Sequence, residues 1–206
     1  MSAPSNGRGP RLGEVIETNT LGFWAESDEL HRLPDLGQLV AVNGPDDLKL
    51  FGVVTFGQTG GIDPSRRAVR RGGDETQDEA IYRRHPELEH VLRTTFRVAV
   101  VGFVEDGRLR HTLSPLPAPL HYTVNACTAP EISHFCAQPR YLPSLLAYKG
   151  ELDPEQVVAS HLRWVDVALN DDHKWLTDAT RRVARLMKRD YDRLVVLLET
   201  VDPDDG

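Results

Sequence analysis

The feature of this sequence that most constrains its fold is a series of short segments in which apolar and polar residues alternate. Such alternation is typical of β-strands that bury one face, because successive side chains point to opposite sides of a strand. The segments are Gly13–Thr18, Leu21–Glu26, Gln38–Val42, Leu48–Phe56, Thr94–Val104 and Arg108–Thr112. Asp106-Gly107 joins the last two and has the type I′ hairpin sequence. Six strands suffice to close a small barrel, so we expect a closed six-stranded β-barrel.

One insertion interrupts this pattern, over residues 57–92. Residues 57–73 are rich in Gly, Arg and Ser and have no periodicity, which predicts an exposed loop. Asp74–Arg84 predicts a helix that ends before Pro86, because proline disfavours helical geometry in the preceding residue. Glu87–Leu92 predicts a further helical turn. Gly52, inside the fourth strand, indicates a bulge or a barrel corner.

A proline at every second position, at Pro115, Pro117 and Pro119, predicts an extended boundary near residue 120. Residues 121–201 then have helical patterns, so the expected fold class is α+β: a six-stranded small closed barrel over residues 11–120 with a helical insertion, followed by a small C-terminal helical segment. Whether these helices pack on their own barrel or on a neighbour's is open. Residues 1–10 and the acidic tail 202–206 are expected to be disordered.

Start signals mark the individual helices of this segment. Thr128 with Glu131 has the spacing of a capping box and predicts a short helix to about Ala137. Asp153-Pro154 predicts a helix over 154–169, since proline is favoured at the first helical position. The remaining predictions are a turn over Pro143–Ala147, a helix capped by Asp171 or Asp172, and an apolar helix from Leu194 to Val201.

Composition and charge restrict the classes of function. The formal net charge of -7 argues against a protein that coats nucleic acid indiscriminately, because such proteins carry a basic excess. Cys127 and Cys136 are too few for a disulfide scaffold in 206 residues, and the N-terminus lacks an apolar signal core. No apolar run reaches the roughly 20 residues that cross a bilayer. We expect a cytoplasmic protein with no membrane role.

No recognised catalytic or cofactor motif accompanies these elements. Gln58-Thr59-Gly60-Gly61 has glycines but lacks the Lys-Ser/Thr sequel of a phosphate-binding loop. The spacing of His121, Cys127, His134 and Cys136 fits no common zinc finger. His85, His90 and Asp171-Asp172-His173 lie at predicted helix ends, where capping explains them. We expect no catalytic site, cofactor or metal, and an undetected hydrolase built on the histidines remains the minor alternative.

Two basic groups are the candidate contact residues, because phosphate contacts require only clustered Arg and Lys. One lies in the predicted loop, and the other lies on the helix capped by Asp171 or Asp172. The members are Arg66, Arg67, Arg70 and Arg71 in the first group, and Arg181, Arg182, Arg185, Lys188, Arg189 and Arg193 in the second. A solvated helix face also explains the second group, since Asp178, Asp190 and Asp192 interrupt it. The loop group is therefore the better candidate for a nucleic-acid or protein partner.

The strand segments resemble a known family. Gly13-Glu14-Val15-Ile16 opens the first strand, Gly37 precedes Leu39-Val40-Ala41-Val42, and Gly52 lies inside the fourth strand. This pattern, with the insertion and the proline-rich exit, resembles the HAS barrel, the six-stranded domain named for HerA and ATP synthase. The resemblance covers residues 11–120. HerA-type hexameric DNA translocases continue from this barrel into an ATPase core, whereas this chain continues into the helical segment.

The resemblance implies a stand-alone barrel protein that serves a separate motor. The barrel's work in the family is to assemble subunits into rings and to dock partners such as the NurA-like nuclease. We therefore expect a non-catalytic adaptor that works with a HerA-like hexameric translocase and a nuclease in DNA processing or repair. The alternative is a protein that binds nucleic acid directly through its arginine groups. DNA in the complex and homo-oligomerisation both remain open.

Overall fold

The strands and helices follow the predicted order over most of the chain. The computed structural model describes residues 8–63, 69–73, 77–170 and 173–201. The strands are β1 (Arg11–Asn19), β2 (Gly22–Ser27), β3 (Leu39–Asn43), β4 (Lys49–Gly61), β5 (Leu92–Glu105), β6 (Arg108–Arg110) and β7 (Thr123–Ala126). The helices are α1 (Glu79–Arg84), α2 (Leu88–Val91), α3 (Ala129–Cys136), α4 (Leu142–Leu146), α5 (Pro154–Ala168), α6 (His173–Leu186) and α7 (Tyr191–Val201).

The strands form the expected closed barrel. Its ring has the order β2-β1-β7-β3-β4-β5, and β2 pairs with β5 to close it. Every pairing in the ring is antiparallel. Gly52 lies at a register shift between β4 and β5, as its position in the strand predicts. A Cβ at Gly52 would lie 2.3 Å from Cγ1 of Val98, so glycine is needed for the close approach of the two strands.

The sixth strand of the ring is not the predicted one. Arg108–Arg110 forms β6, but it pairs only with the end of β5, beyond the point where β2 leaves that edge. The ring is instead completed by β7, which pairs with β1 on one side and β3 on the other. This strand lies beyond residue 120, in the segment predicted to be helical. Its four residues are too few to show alternation, and the partners on both sides stabilise it.

The barrel's longest strands extend into the predicted insertion. β4 continues to Gly61, where Gly61 lies opposite Leu92, so residues 57–61 are strand and not loop. The side chains in this extension are mostly exposed, which explains why they lack an apolar pattern. The insertion therefore starts at the end of a two-stranded ribbon. Its helices are short, with α1 over Glu79–Arg84 and α2 over Leu88–Val91.

The C-terminal helices agree with their start signals. The backbone N–H of Thr128 donates to Oε2 of Glu131 over 2.7 Å, which completes the predicted cap of α3. Pro154 is the first residue of α5, and α7 ends at Val201 as expected. The predicted caps Asp171 and Asp172 and the predicted tail 202–206 lie outside the described residues. No helix in the described ranges is both long enough and apolar enough to cross a membrane.

Two apolar cores share the wall of the barrel. One fills the barrel interior, and the other lies between the outer wall and the helices. In β3 the two sets alternate, with Val40 and Val42 inside and Leu39 and Ala41 beneath the helices. Because both faces of β3, β4 and β5 are buried, these strands have nearly continuous apolar sequences. The helical segment thus packs on its own barrel, which answers the question left open by the sequence.

A buried hydrogen-bond chain fixes the helices to the wall. His161 of α5 donates from Nδ1 to the carbonyl oxygen of Gly37 over 2.7 Å, because a carbonyl can only accept. Nε2 of His161 then accepts from the Tyr141 hydroxyl over 2.8 Å, and Sγ of Cys136 lies 3.4 Å from the same oxygen. Burial lowers the pKa of His161 to about 4, so its ring is neutral. Burial has the opposite effect on the Cys136 thiol, whose pKa it raises to about 12.

Candidate partner and nucleic-acid interfaces

Among the described residues, the outer faces of β1 and β2 are the part of the barrel wall with the least helix contact, and we call this part the uncovered wall. Strand alternation directs Val15 and Ala25 into the barrel and leaves Glu14 and Glu26 outside. The side chains of Glu14 and Glu26 are 40% and 43% exposed. The two residues lie directly opposite each other across the strands. Like charges at directly opposite positions repel, so the pairing of Glu14 with Glu26 is unfavourable for the stability of the fold.

Basic side chains at the margin partly neutralise these carboxylates. Arg11 lies 3.7 Å from Glu14 and donates to Asp28 over 2.7 Å. His121 contacts the other oxygen of Glu14 over 2.8 Å, and Arg93 lies 4.0 Å from Glu26. The wall is thus a mixture of paired charges. Such a surface suits a protein partner better than the uniform negative charge of a nucleic acid.

A cleft lies where the uncovered wall meets the helical segment. It encloses about 360 Å³ between β1, β2 and β5 on one side and the residues after α4 on the other. The charged side chains in its lining are Glu17, Arg97 and Lys149. Leu21 and Leu113 also line it and are 66% and 46% exposed. A concave surface that combines exposed apolar and polar groups is typical of a binding site. We call it the Trp24 cleft, after one of the aromatic residues in its wall.

Arg97 connects the two sides of the Trp24 cleft. Its guanidinium carbon lies 5.9 Å from the ring centroid of Trp24 in β2 and 5.8 Å from that of Tyr148 in the helical segment. Nη1 of Arg97 donates to Glu151 over 2.7 Å. Burial raises the pKa of Glu151, but hydrogen bonds from its own backbone and from Arg97 outweigh that effect and lower it. The ion pair and the two rings therefore hold the cleft in a defined shape.

The predicted loop group of arginines is only partly described. Arg66 and Arg67 lie outside the described residues, whereas Arg70 and Arg71 are exposed. The backbone N–H of Glu87 lowers the pKa of that carboxyl, and His85 and Arg71 add to the effect. Arg71 thus lies near α2. Among the described residues, no hydrogen bond or salt bridge joins Arg70 or Arg71 to the α6 group, so the structure does not bring the two together.

The second group is less regular than the sequence predicts. Arg181 and Arg185 are exposed on α6, but Arg182 is half-buried. The helix ends at Leu186, so Arg189 lies in the turn before α7 and not on one continuous face. Arg181 pairs with Asp178 over 3.4 Å, an exposed pair that contributes little. The interrupting acid Asp190 lies on the far side of that turn, where it pairs with Arg193 over 3.0 Å.

The structure brings cations from other segments to this group. Trp175 of α6 donates from Nε1 to the carbonyl oxygen of Cys136 over 2.8 Å, so α6 lies against the end of α3. His111 contacts the rings of Phe135 and Tyr141. His134 directly precedes Phe135 in the chain, and Arg140 directly precedes Tyr141. Burial lowers the pKa of His111, and electrostatic interactions with Arg140, His134 and Arg182 lower it further. Sequence reasoning missed this convergence, because the residues are scattered over separate segments.

The other residues considered for chemistry are dispersed. Cys127 and Cys136 are buried free thiols, while His134 is exposed and His121 pairs with Glu14 on the barrel wall. Within the described ranges, no three His, Cys, Asp or Glu side chains come together as they would around a metal ion.

Comparison with known proteins gives no further assignment. No protein-family model matches the chain, and no curated protein matches it either.

Proposed function

We propose that this protein is a non-catalytic adaptor that binds a HerA-like hexameric DNA translocase, and through it a NurA-like nuclease, in DNA processing or repair. The proposal combines the resemblance of residues 11–120 to the HAS barrel with one observation: the chain's own helices cover only part of the barrel wall. The uncovered part adjoins the Trp24 cleft. A cytoplasmic location belongs to the proposal, and the two free thiols are compatible with it.

The docking surface we assign is the uncovered wall of β1 and β2 together with the Trp24 cleft. Trp24 and the exposed Leu21 supply apolar contact area, and the Arg97–Glu151 ion pair lies beside the Trp24 ring. Partner interfaces of this kind have an aromatic or apolar centre and a polar rim. The cleft is preorganised, because Arg97 is already held between two rings and Glu151. Preorganisation reduces the entropy that binding costs.

The mass of the native particle tests this proposal. The protein is measured by native mass spectrometry alone, with a purified HerA-like ATPase, and with that ATPase plus a NurA-like nuclease. We expect a complex that contains the ATPase and this chain in a fixed ratio. The measurement on the protein alone also gives its self-association. A chain that stays alone at every concentration, with both candidate partners present, contradicts the proposal.

Variants locate the surface. Leu21→Glu and Trp24→Ala remove apolar area from the uncovered wall and its cleft, and each should weaken partner binding at least about ten-fold. Arg163→Glu is the matched control, because Arg163 is exposed on α5 and lines a separate groove with Asp35 and Leu36. Circular dichroism confirms that each variant is folded. Equal weakening by the control and by the wall variants would remove the assignment of this surface.

A further inference from the structure

The cations around α6 form one surface that draws on several segments. Arg182 and Arg185 are three residues apart on α6, which places them on the same side of the helix about 4.5 Å apart along its axis. Trp175 holds α6 against the end of α3, and Arg140 follows that end in the chain. Arg140 and Arg182 both act electrostatically on His111. We call this the α6 basic surface. Its members are Arg140, Arg181, Arg182, Arg185, Lys188 and Arg189.

Most of these cations have no internal counter-charge. Among the described residues, no carboxylate lies within salt-bridge distance of Arg140, Arg182, Arg185 or Arg189, and Arg181 has only its exposed contact with Asp178. The Nε–H of Arg182 is buried and finds no hydrogen-bond acceptor within the described part of the chain. The uncovered wall differs, since Glu14 and Glu26 lie beside basic side chains there. The α6 basic surface is therefore short of negative groups, which an external ligand can supply.

The surroundings favour a phosphate backbone over an acidic protein. A protein interface needs apolar anchors at its centre, whereas phosphate contacts need only positioned cations. Leu186 is the one exposed large apolar residue within α6, and it lies at the end of the helix. Arginines on neighbouring turns suit closely spaced phosphates, because each guanidinium has several donors directed in a fork.

We propose that the α6 basic surface binds the phosphate backbone of double-stranded DNA. This contact goes beyond the docking function, because here the chain itself touches the nucleic acid. It lies on the helical segment and not on the barrel wall. The net charge of -7 opposes long-range attraction, so binding depends on charges within about 10 Å of the contact. The affinity is accordingly weak at physiological salt and falls steeply as salt is raised.

Fluorescence anisotropy with a 30-base-pair duplex tests the proposal on the full chain over a series of salt concentrations. The double variant Arg185→Glu/Arg189→Glu should weaken binding at least ten-fold at low salt. It should also reduce the slope of log affinity against log salt by about 2, since each lost phosphate contact removes about 0.9. Arg140→Gln should reduce the slope by about 1. That effect would support the contribution of a residue outside α6.

Two controls separate this proposal from its alternatives. Arg163→Glu reverses the charge of one arginine on the separate groove of α5, and it should alter binding less than two-fold. Trp24→Ala changes the docking cleft and should leave DNA binding unchanged. A failure of partner docking can therefore be distinguished from a failure of DNA binding. Absence of wild-type binding at low salt would overturn the proposal. Equal sensitivity to Arg163→Glu, or displacement of the duplex by poly-glutamate at matched charge concentration, would overturn it too.

Discussion

The two sides of the barrel wall have the same strand architecture but different surroundings. On β3, the outward residues Leu39 and Ala41 are 0% and 3% exposed, because α3, α4, α5 and α6 pack against that side. On β1 and β2, the outward residues Glu14 and Glu26 are 40% and 43% exposed. The covered side thus contributes to folding, whereas the uncovered side keeps polar and repelling groups that folding does not require. Substitutions on the two sides should therefore have different costs.

The largest effect is expected at Gly37 on the covered side. Gly37 has a φ of +86°, and a Cβ there would lie 2.5 Å from the backbone nitrogen of His161 in α5. Gly37→Ala should lower the free energy of unfolding by about 4 kcal/mol, because it combines left-handed strain with overpacking against a helix backbone. Urea denaturation measures this.

Gly60→Ala is the matched control for that prediction. Gly60 lies on the exposed ribbon of β4, where an added Cβ would have no neighbour within 4 Å. The substitution should leave stability within about 1 kcal/mol of the wild type. If Gly37→Ala were equally harmless, the close contact between the barrel wall and α5 would be wrong.

The second effect is a loss of stability in acid, from His161. Its pKa is lowered to about 4 by burial, whereas an exposed histidine titrates near 6.5. Between these values the unfolded chain binds a proton that the folded chain does not bind. The free energy of unfolding should therefore fall by about 3 kcal/mol as the pH drops from 6.5 to 4, and it is restored as the pH rises.

Denaturation of wild type and His161→Gln at a series of pH values isolates this contribution. The variant should be less stable at neutral pH, because it replaces the ring between Tyr141 and Gly37. Its free energy of unfolding should depend less on pH than that of the wild type, and the difference is the contribution of His161. Parallel curves for the two proteins would refute a buried neutral histidine. Carboxylates affect both proteins alike and cancel in the difference.

The smallest effects are expected when a glutamate is replaced by glutamine on each side of the barrel wall. Glu131 on the covered side pairs with Lys49 and caps α3, and its side chain is only 20% exposed. Glu131→Gln should cost about 1 to 2 kcal/mol, because it removes the charge from a partly buried hydrogen-bonded pair. Glu26→Gln on the uncovered side should change stability by less than about 0.5 kcal/mol, since relief of the repulsion from Glu14 offsets the weak contact with Arg93. Similar costs at both positions, measured by thermal denaturation, would remove the distinction between the two sides.

The sequence predicts those parts of the fold whose signals are local. The strands β1 to β5 follow their alternation, and α3 and α5 begin at a Thr-x-x-Glu cap and at an Asp-Pro pair. Strand β7 gives no such signal. Its four residues are fixed by β1 and β3, which lie far away in the sequence. The extension of β4 was missed for a related reason, since residues 57–61 pair with β5 but bury almost nothing.

The candidate surfaces are harder to predict than the fold. The arginines of α6 are visible in the sequence, but Arg140 joins them only because Trp175 holds α6 against the end of α3. The Trp24 cleft has no sequence pattern, since its lining comes from three strands and from the chain after α4. Both depend on how the helices pack on the barrel. Periodicity identifies a buried face but not which neighbour covers it.

The closure of the ring by β7 determines how this molecule can be divided. A polypeptide cut at the proline-rich boundary near residue 120 would lose the strand between β1 and β3, and the ring would open. The two strands would then expose unpaired backbone groups along their edges, a known route to aggregation. Separate production of barrel and helices should therefore fail.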